Sequence, residues 1–523
     1  MNLAVRQECQ NATGLNCQVV SFYQGGMYGL YRYKRFDDVR LVMAPEGQAA
    51  FFGGDPDNFT YPRYDFDLTL LRVYENGQPR ATDHYFPFSE NGAAEGELVF
   101  ITGNPGSTGR LLTVAQMEYL RDVVYPAQLA GYERQLEIVR YLSSQSEEAR
   151  RQYENQIFGI ENSKKAVTGY YNGLRDPERM ARKRAFEQDF RGRIDRDPQL
   201  RRRYGGAWDA IANAQQELAS FAPQARWYGF GGSQLLGMAG AIVRGNVSGR
   251  ARGQILRDQP IDRDVEIMGL TAQLEAAKAE LPHDDPFIRA VLGTREPKAV
   301  AETLVNGTRL GELSVRQALL DGGATAVARS QDPMIVVARA IAPLAEQVAA
   351  RAEPLQTTIS ANAELVGQAI FAAYGKALPP DATFTLRITD GVVKRYAMNG
   401  TYAPYKTTLY GLYARSEEFD HQAPWQLAPR WRERMGLVDM TTPINFVSTN
   451  DIIGGNSGSP VINKNAEVVG LVFDGNIEML PNRFLFDDTV SRTVSVHSSG
   501  LLEGLRKIYD ATRIADELAA ARR

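Results

Sequence analysis

From about residue 115 to residue 377 the sequence runs in long stretches of helical period with few breakers, and on both sides of that block it has the texture of short strands. The helical segments read as Ala115–Ser143, Glu147–Leu174, Asp176–Arg193, Ala207–Phe221, Gly232–Arg244 and Asp264–Glu280, and they continue through Ala352 and over Leu355–Gly375. Before the block, aromatic and β-branched runs at Val19–Tyr23, Val39–Ala44, Leu68–Tyr74 and Leu98–Thr102 are separated by Gly-Gly, Asn-Gly and Pro-Gly pairs. After Leu378-Pro379-Pro380, strands are predicted at Phe384–Ile388, Val392–Ala397, Ile444–Ser448, Pro460–Ile462, Val468–Phe473 and Thr493–Val496, and an amphipathic helix over 501–520 closes the chain. The order predicts an α+β protein in which a helical domain, residues 115–377, is inserted in a β-rich body made of residues 1–114 and 378–523.

Composition narrows the function classes. With 44% hydrophobic and 23% charged residues, the 523-residue chain can bury two or three cores. A net charge of -3 gives no reason to expect a nucleic-acid partner, and the basic run Arg179–Arg203 is interleaved with Glu187, Asp189, Asp195 and Asp197, as on a solvated helix face. No apolar stretch is read as reaching the ~20 residues of a membrane span, and the first ten residues have no export-signal pattern. Cys9 and Cys17 are too few for a disulfide scaffold and lack companions for zinc; a local bridge and two ordinary thiols both remain open. No metal or cofactor is expected, and Tyr228-Gly229-Phe230-Gly231-Gly232 lacks the preceding strand of a nucleotide site.

The sharpest chemical signal is Gly454-Gly455-Asn456-Ser457-Gly458-Ser459-Pro460-Val461, set before the hydrophobic strand Val468–Phe473. A nucleophilic serine needs its hydroxyl exposed on a tight turn with N–H groups close by, and small flanking residues permit that approach. On this reading Ser457 attacks a carbonyl, and the N–H groups of Gly455 and Ser457 form the oxyanion hole; the plain alternative is a Gly/Ser-rich hairpin turn.

Together with Phe52-Gly53-Gly54-Asp55-Pro56-Asp57-Asn58-Phe59, Tyr61-Pro62-Arg63, Asp67-Leu68-Thr69-Leu70-Leu71-Arg72-Val73-Tyr74, Gly103-Asn104-Pro105-Gly106-Ser107-Thr108 and Gly470-Leu471-Val472-Phe473-Asp474-Gly475-Asn476, this motif resembles the chymotrypsin-fold serine peptidases of the bacterial dipeptidyl-peptidase 7 and 11 family. The resemblance implies a double β-barrel body, here with its first barrel incomplete, carrying the helical domain as a cap. It implies a triad in the order His, Asp, Ser, with Asp67 as the aspartate. For the free N-terminus of a peptide it implies Asn58, Phe59, Asn162 and Asp474, with Phe59 standing where the family commonly has Trp. Specificity is expected at Gly475, where arginine would select acidic side chains; glycine implies a deeper, uncharged pocket and a hydrophobic or broad preference before the cleaved bond. A homodimer and a location in the periplasm or at the cell surface are implied in the same way.

The triad histidine does not match any position of this chain. His84, His283, His421 and His497 all follow Asp67 and read as structural or surface residues. The sequence is therefore expected to be an N-terminally truncated copy whose base lies upstream of Met1, and weak or absent turnover is expected without that base. Three readings stand: a serine exopeptidase releasing dipeptides, a non-catalytic peptide-binding relic of that fold, and a trypsin-like endopeptidase.

Overall fold

Alternating burial builds the central sheet. In β6 (Leu98–Gly103) Val99 and Ile101 are fully buried while Phe100 and Thr102 are only half-buried, the period of two that a strand with one face on a core requires. The computed structural model describes residues 2–229, 231–245, 247–258, 260–375 and 377–520, so Phe230 of the glycine cluster and the last three residues lie outside the described residues.

The strands are β1 (Asn16–Phe22), β2 (Met27–Tyr33), β3 (Asp38–Met43), β4 (Leu70–Glu75), β5 (Gln78–Pro79), β6, β7 (Arg387–Val392), β8 (Tyr396–Met398), β9 (Thr401–Ala403), β10 (Lys406–Thr408), β11 (Pro443–Ser448), β12 (Pro460–Asn463), β13 (Val468–Gly475) and β14 (Thr493–His497). Seven of them form one antiparallel sheet in the order β10-β11-β14-β13-β12-β6-β7. Its far strands meet again: Val393, just past β7, bridges Ser448 at the end of β11, Lys394 donates to Val447 O at 3.2 Å and Thr449 to Val392 O at 3.0 Å. The sheet thus curls back on itself around Val99, Ile101, Val393, Phe446, Val461, Val469 and Val472. A second core behind it collects Phe52, Phe66, Leu409, Trp431, Ile444, Leu501, Leu505 and Ile508.

Several expectations need correction. The chain is a mixture of helix and sheet, as expected; β1-β2 forms a separate hairpin and β3-β4-β5 a separate three-stranded sheet, while β6, placed in the first barrel by the sequence, joins strands more than 280 residues away, pairing with β7 and β12. The division at 114 and 377 also moves. One compact unit is Met1–Met117, Lys164–Gly205 and Ala363–Arg523; the other is Glu118–Ser163 and Gly206–Asn362. The helix Pro177–Asp195 belongs to the first unit because its Lys183 and Glu187 bond the main chain at Arg110 and Val114. The strand expected at Phe384–Ile388 begins later, at Arg387, since Phe384, Leu386 and Ile388 point to solvent and not into the core. The closing helix is broken at Asp510, whose φ of 51° no helix accepts.

The second unit is helical by itself. Its core gathers Trp227, Leu235, Leu270, Leu274, Phe287, Val300, Leu304, Met334, Ile335 and Ile341. Contrary to the expectation, the helix Pro333–Tyr374 is long and apolar enough to cross a membrane by length and composition. Met334, Ile335, Ala338 and Ile341 at its start are nonetheless fully buried in that core, which explains their apolarity. Cys9 and Cys17, left open above, are joined in a disulfide with Cα atoms 6.2 Å apart.

Candidate active site

Ser457 lies between β11 and β12 on a turn that the main chain fixes closely. Asn456 N–H donates to Ile453 O at 3.1 Å, Gly458 N–H to Val472 O at 2.7 Å, and Ser459 N–H to Asn456 O at 2.9 Å. Gly455 has φ +105°, and a Cβ there would stand 2.6 Å from Asn104 O and 2.9 Å from Gly106 N, so only glycine fits. Ser457 itself is exposed, and its hydroxyl has one weak contact, to Phe473 O at 3.5 Å. An exposed hydroxyl on a rigid turn is what nucleophilic attack requires of the protein.

The other face of that contact is the end of β13. Asp474, the next residue, receives three hydrogen bonds: Oδ2 accepts from Phe59 N–H at 3.0 Å and from the Arg63 guanidinium, and Oδ1 accepts from Gly475 N–H at 2.8 Å. A carboxylate offers about four acceptor positions, so Oδ1 keeps room for one more donor. Phe59 is held at φ 57°, a left-handed conformation that costs a bulky residue on the order of 1–3 kcal/mol and that its bond to Asp474 helps to fix. Asn58, buried beside it, closes the turn of Gly54–Asp57 by donating to Gly54 O and Asp55 O, both at 3.1 Å. Lys165 caps the same turn from the helix Glu147–Arg175, reaching Asp55 O and, at 3.4 Å, Asn58 O.

Beneath these residues is a buried charge cluster that sequence reasoning missed. Arg63, 2% exposed, pairs with Asp65 at 2.7 Å as well as with Asp474, and its ring neighbours are Phe51 and Phe473, with centroids 5.6 and 5.3 Å away. Asp65 is 1% exposed; its main chain is fastened to Asn445 by two bonds of 2.8 Å. Burial raises the Asp65 carboxyl above the ordinary carboxylate range; Arg63 opposes the rise, and Asp67 and Asp474 add to it. Burial would lower the guanidinium of Arg63, but Asp65 and Asp474 outweigh it and hold the cation charged. Asp67 stays open to solvent, yet surrounding protein raises its carboxyl too, with Arg63 opposing and Asp474 adding. The Arg63 in Tyr61-Pro62-Arg63 was a legible signal, because a lone arginine between apolar runs needs buried carboxylates.

Ser457, Phe59, Asp474, Gly475 and Asn58 are thus gathered around the end of β13, and Asp67 is coupled to the same charges. Asn162 belongs to the other compact unit, where it is half-buried on its helix. Gly475 does not open an empty pocket: a Cβ there would meet Met479 Sδ at 2.4 Å, so the thioether fills the space that a longer side chain would claim. No histidine is hydrogen-bonded to Ser457 or Asp67 among the described residues. His84 and His283 are exposed, His421 contacts Ser416 at 2.9 Å and Glu417 at 3.2 Å, and His497 is buried against Ala93 at 3.1 Å and Ser499 at 2.7 Å. Among the described residues no group of three or more His, Cys, Asp or Glu is placed to hold a metal.

Comparison with known proteins agrees with this architecture. The model of the family described as Peptidase S46 matches residues 2–520. An Asp/Glu-specific dipeptidyl-peptidase of Shewanella putrefaciens is 26% identical over 99% of the chain, a dipeptidyl-peptidase 7 of Porphyromonas endodontalis 26% over 92%, and one of Porphyromonas gingivalis 28% over 96%. The chain spans 79%, 62% and 75% of their respective lengths. In fold it matches the crystal structure of Porphyromonas endodontalis DPP11 in complex with the dipeptide Arg-Glu, with a TM-score of 0.81 at 20% identity over 99% of this chain and 79% of that one.

Proposed function

The chain belongs to the peptidase S46 family, and from that premise we propose that it binds the free N-terminus of a peptide and presents the second peptide bond to Ser457, releasing a dipeptide. The observation that carries this reading is the charge balance at the end of β13. Asp65, Asp67 and Asp474 share one guanidinium, so that even with Asp65 raised to about 8 and largely protonated the carboxylates of Asp67 and Asp474 outnumber it, and Asp474 Oδ1 keeps an acceptor position. A surplus of negative charge with one free acceptor suits an ammonium group, whose hydrogen bonds to a carboxylate are about twice as strong as neutral ones.

In the proposed mechanism the substrate amine donates to Asp474 Oδ1 beside Asn58 and Phe59. Ser457 Oγ attacks the carbonyl carbon of the second residue, and the N–H groups of Gly455 and Ser457 receive the oxyanion. The attack needs a general base, which would take the Ser457 proton and give it to the leaving amine as the second peptide bond breaks; water activated by the same base would then release the dipeptide from Ser457, and Asp67 would supply the carboxylate that orients that base. Next to the cleaved bond, Gly475 with the Met479 thioether favours an uncharged, hydrophobic side chain. The Cys9–Cys17 disulfide favours an oxidising location, in keeping with export to the periplasm or cell surface.

One observation favours a second reading. None of the four histidines hydrogen-bonds Ser457, so the same group of residues fits peptide binding without turnover. Fluorogenic dipeptidyl amides with a free or an acetylated N-terminus decide between them. Release of fluorophore from the free form alone, lost in Ser457→Ala, supports the peptidase. Saturable binding of the free form with no release and no labelling of Ser457 by a fluorophosphonate supports the binder. Equal handling of free and acetylated forms sinks both.

A further inference from the structure

Phe384 is exposed in a place where exposure is costly. The residue is 66% accessible although the backbone on either side is fastened: Ala382 and Thr385 are buried, Thr383 bridges Ser107, and Phe384 N–H donates to Pro105 O at 2.8 Å. The residue sits at φ 58°, a conformation disfavoured for an aromatic and seen mostly where the surroundings enforce it. Its neighbour is Gly455: a Cβ at Gly455 would stand 3.1 Å from Phe384 Cε2. A strained, solvent-facing aromatic against the turn of a nucleophilic serine is a functional feature more readily than a packing one. Leu386, 61% exposed, follows two residues on.

The turn that carries Ser457 has two flanks. On one, Ser457 Oγ touches Phe473 O, and Asp474 and Gly475 follow; this flank serves the two residues that precede the cleaved bond under the proposed function, on which the inference rests. On the other, Gly455 faces Asn104, Gly106 and Phe384. A peptide whose carbonyl oxygen is held at Gly455 N–H leaves Ser457 over that second flank. We infer that Phe384, together with Leu386, is the specificity platform for the residue that follows the cleaved bond and selects an apolar side chain there.

The test is calorimetric binding in the Ser457→Ala background, so that no peptide is turned over. Three peptides share their first two residues: a dipeptide, a tetrapeptide with Leu third, and a tetrapeptide with Asn third. The expected result is about five- to tenfold tighter binding of the Leu peptide than of the Asn peptide, as partial burial of one apolar side chain provides. Phe384→Asn, which tolerates positive φ, is expected to erase that ratio, and Phe384→Tyr to keep it. Equal affinity of the two tetrapeptides, or an equal loss for the dipeptide in Phe384→Asn, overturns the inference. An acetylated Leu peptide that binds as well as the free one, with the ratio intact, overturns the N-terminus reading and leaves the platform standing. No binding of any peptide overturns both.

Discussion

The Arg63 guanidinium and the Asp474 carboxylate meet inside the fold, with 2% and 10% of their side chains accessible, so the acceptor proposed for the substrate is held from behind by a cation that solvent does not reach. The same oxygen takes Phe59 N–H at 3.0 Å. Asp474 is therefore oriented before any peptide arrives, and little conformational freedom is left to lose on binding.

Replacing Asp474 by Asn removes the charge and keeps the shape. Charge-assisted bonds contribute about 1.5–3 kcal/mol, so affinity for a free-N-terminal peptide should fall about 10- to 100-fold. An acetylated peptide should lose almost nothing. Calorimetry on both peptides checks this; a uniform loss would mean that Asp474 is only a scaffold residue.

Gly455 and Gly454 are neighbours with opposite tolerances. Gly455→Ala forces φ +105° on an L-residue and drives a methyl to 2.6 Å from Asn104 O, and should cost about 2–4 kcal/mol. Gly454→Ala meets nothing within 4 Å and should cost under about 0.5 kcal/mol. Urea unfolding of both variants measures the contrast.

How far the sequence alone led can be judged at particular residues. The helix Glu147–Arg175 and the strand Val468–Gly475 lie within two residues of where periodicity puts them, because local pattern and final environment agree there. The partners of β6 were not legible: it pairs with Val461–Asn463 and Arg387–Val392, and such distant pairing leaves no local trace. Ser457 could be named because a glycine-rich turn before a hydrophobic strand carries its chemistry in its spacing, whereas Asn58 and Asp474 were named only through the family resemblance. Asp65 and Phe384 could not. Asp65 matters because it is buried, and Phe384 because it is not, and neither condition is written in residue type.

Among the described residues Arg63 is the counter-charge that Asp65 and Asp67 share, which gives its removal a pH signature. Asp65 already has a folded-state pKa above its ordinary value; without Arg63 it rises further. A carboxyl with a raised folded pKa contributes stability at low pH that is lost as pH rises through that value. Because Asp65 titrates at about 8, Arg63→Gln should lose about 3–5 kcal/mol at pH 9, where the parent's Asp65 is ionised beside the guanidinium, and clearly less at pH 6, where that carboxyl is protonated in both proteins. Asp67→Asn, at a position open to solvent, should stay within about 1 kcal/mol of the parent at both pH values. Urea midpoints at the two pH values separate a structural Asp65 from an Asp67 that is free to serve the reaction.

His497 supplies the opposite slope. Burial drives its imidazole down to about 4, with Ala93 opposing and Lys406 adding, so the ring is neutral in the folded protein near neutral pH. The unfolded chain takes up its proton near pH 6.5, and between those values it binds more protons than the folded one. The stability contributed by a neutral, buried His497 is therefore present above about pH 6.5 and is lost as pH falls toward 4, by about 3 kcal/mol in all. His497→Gln keeps a donor and an acceptor toward Ala93 but cannot titrate. The difference in unfolding free energy between parent and variant should shrink steadily from pH 7 to pH 4.5, in favour of the variant. A constant difference across that range would mean that the ring takes up its proton without leaving its place between Phe446 and Ala93, and that His497 does not limit the acid stability of the barrel-like sheet.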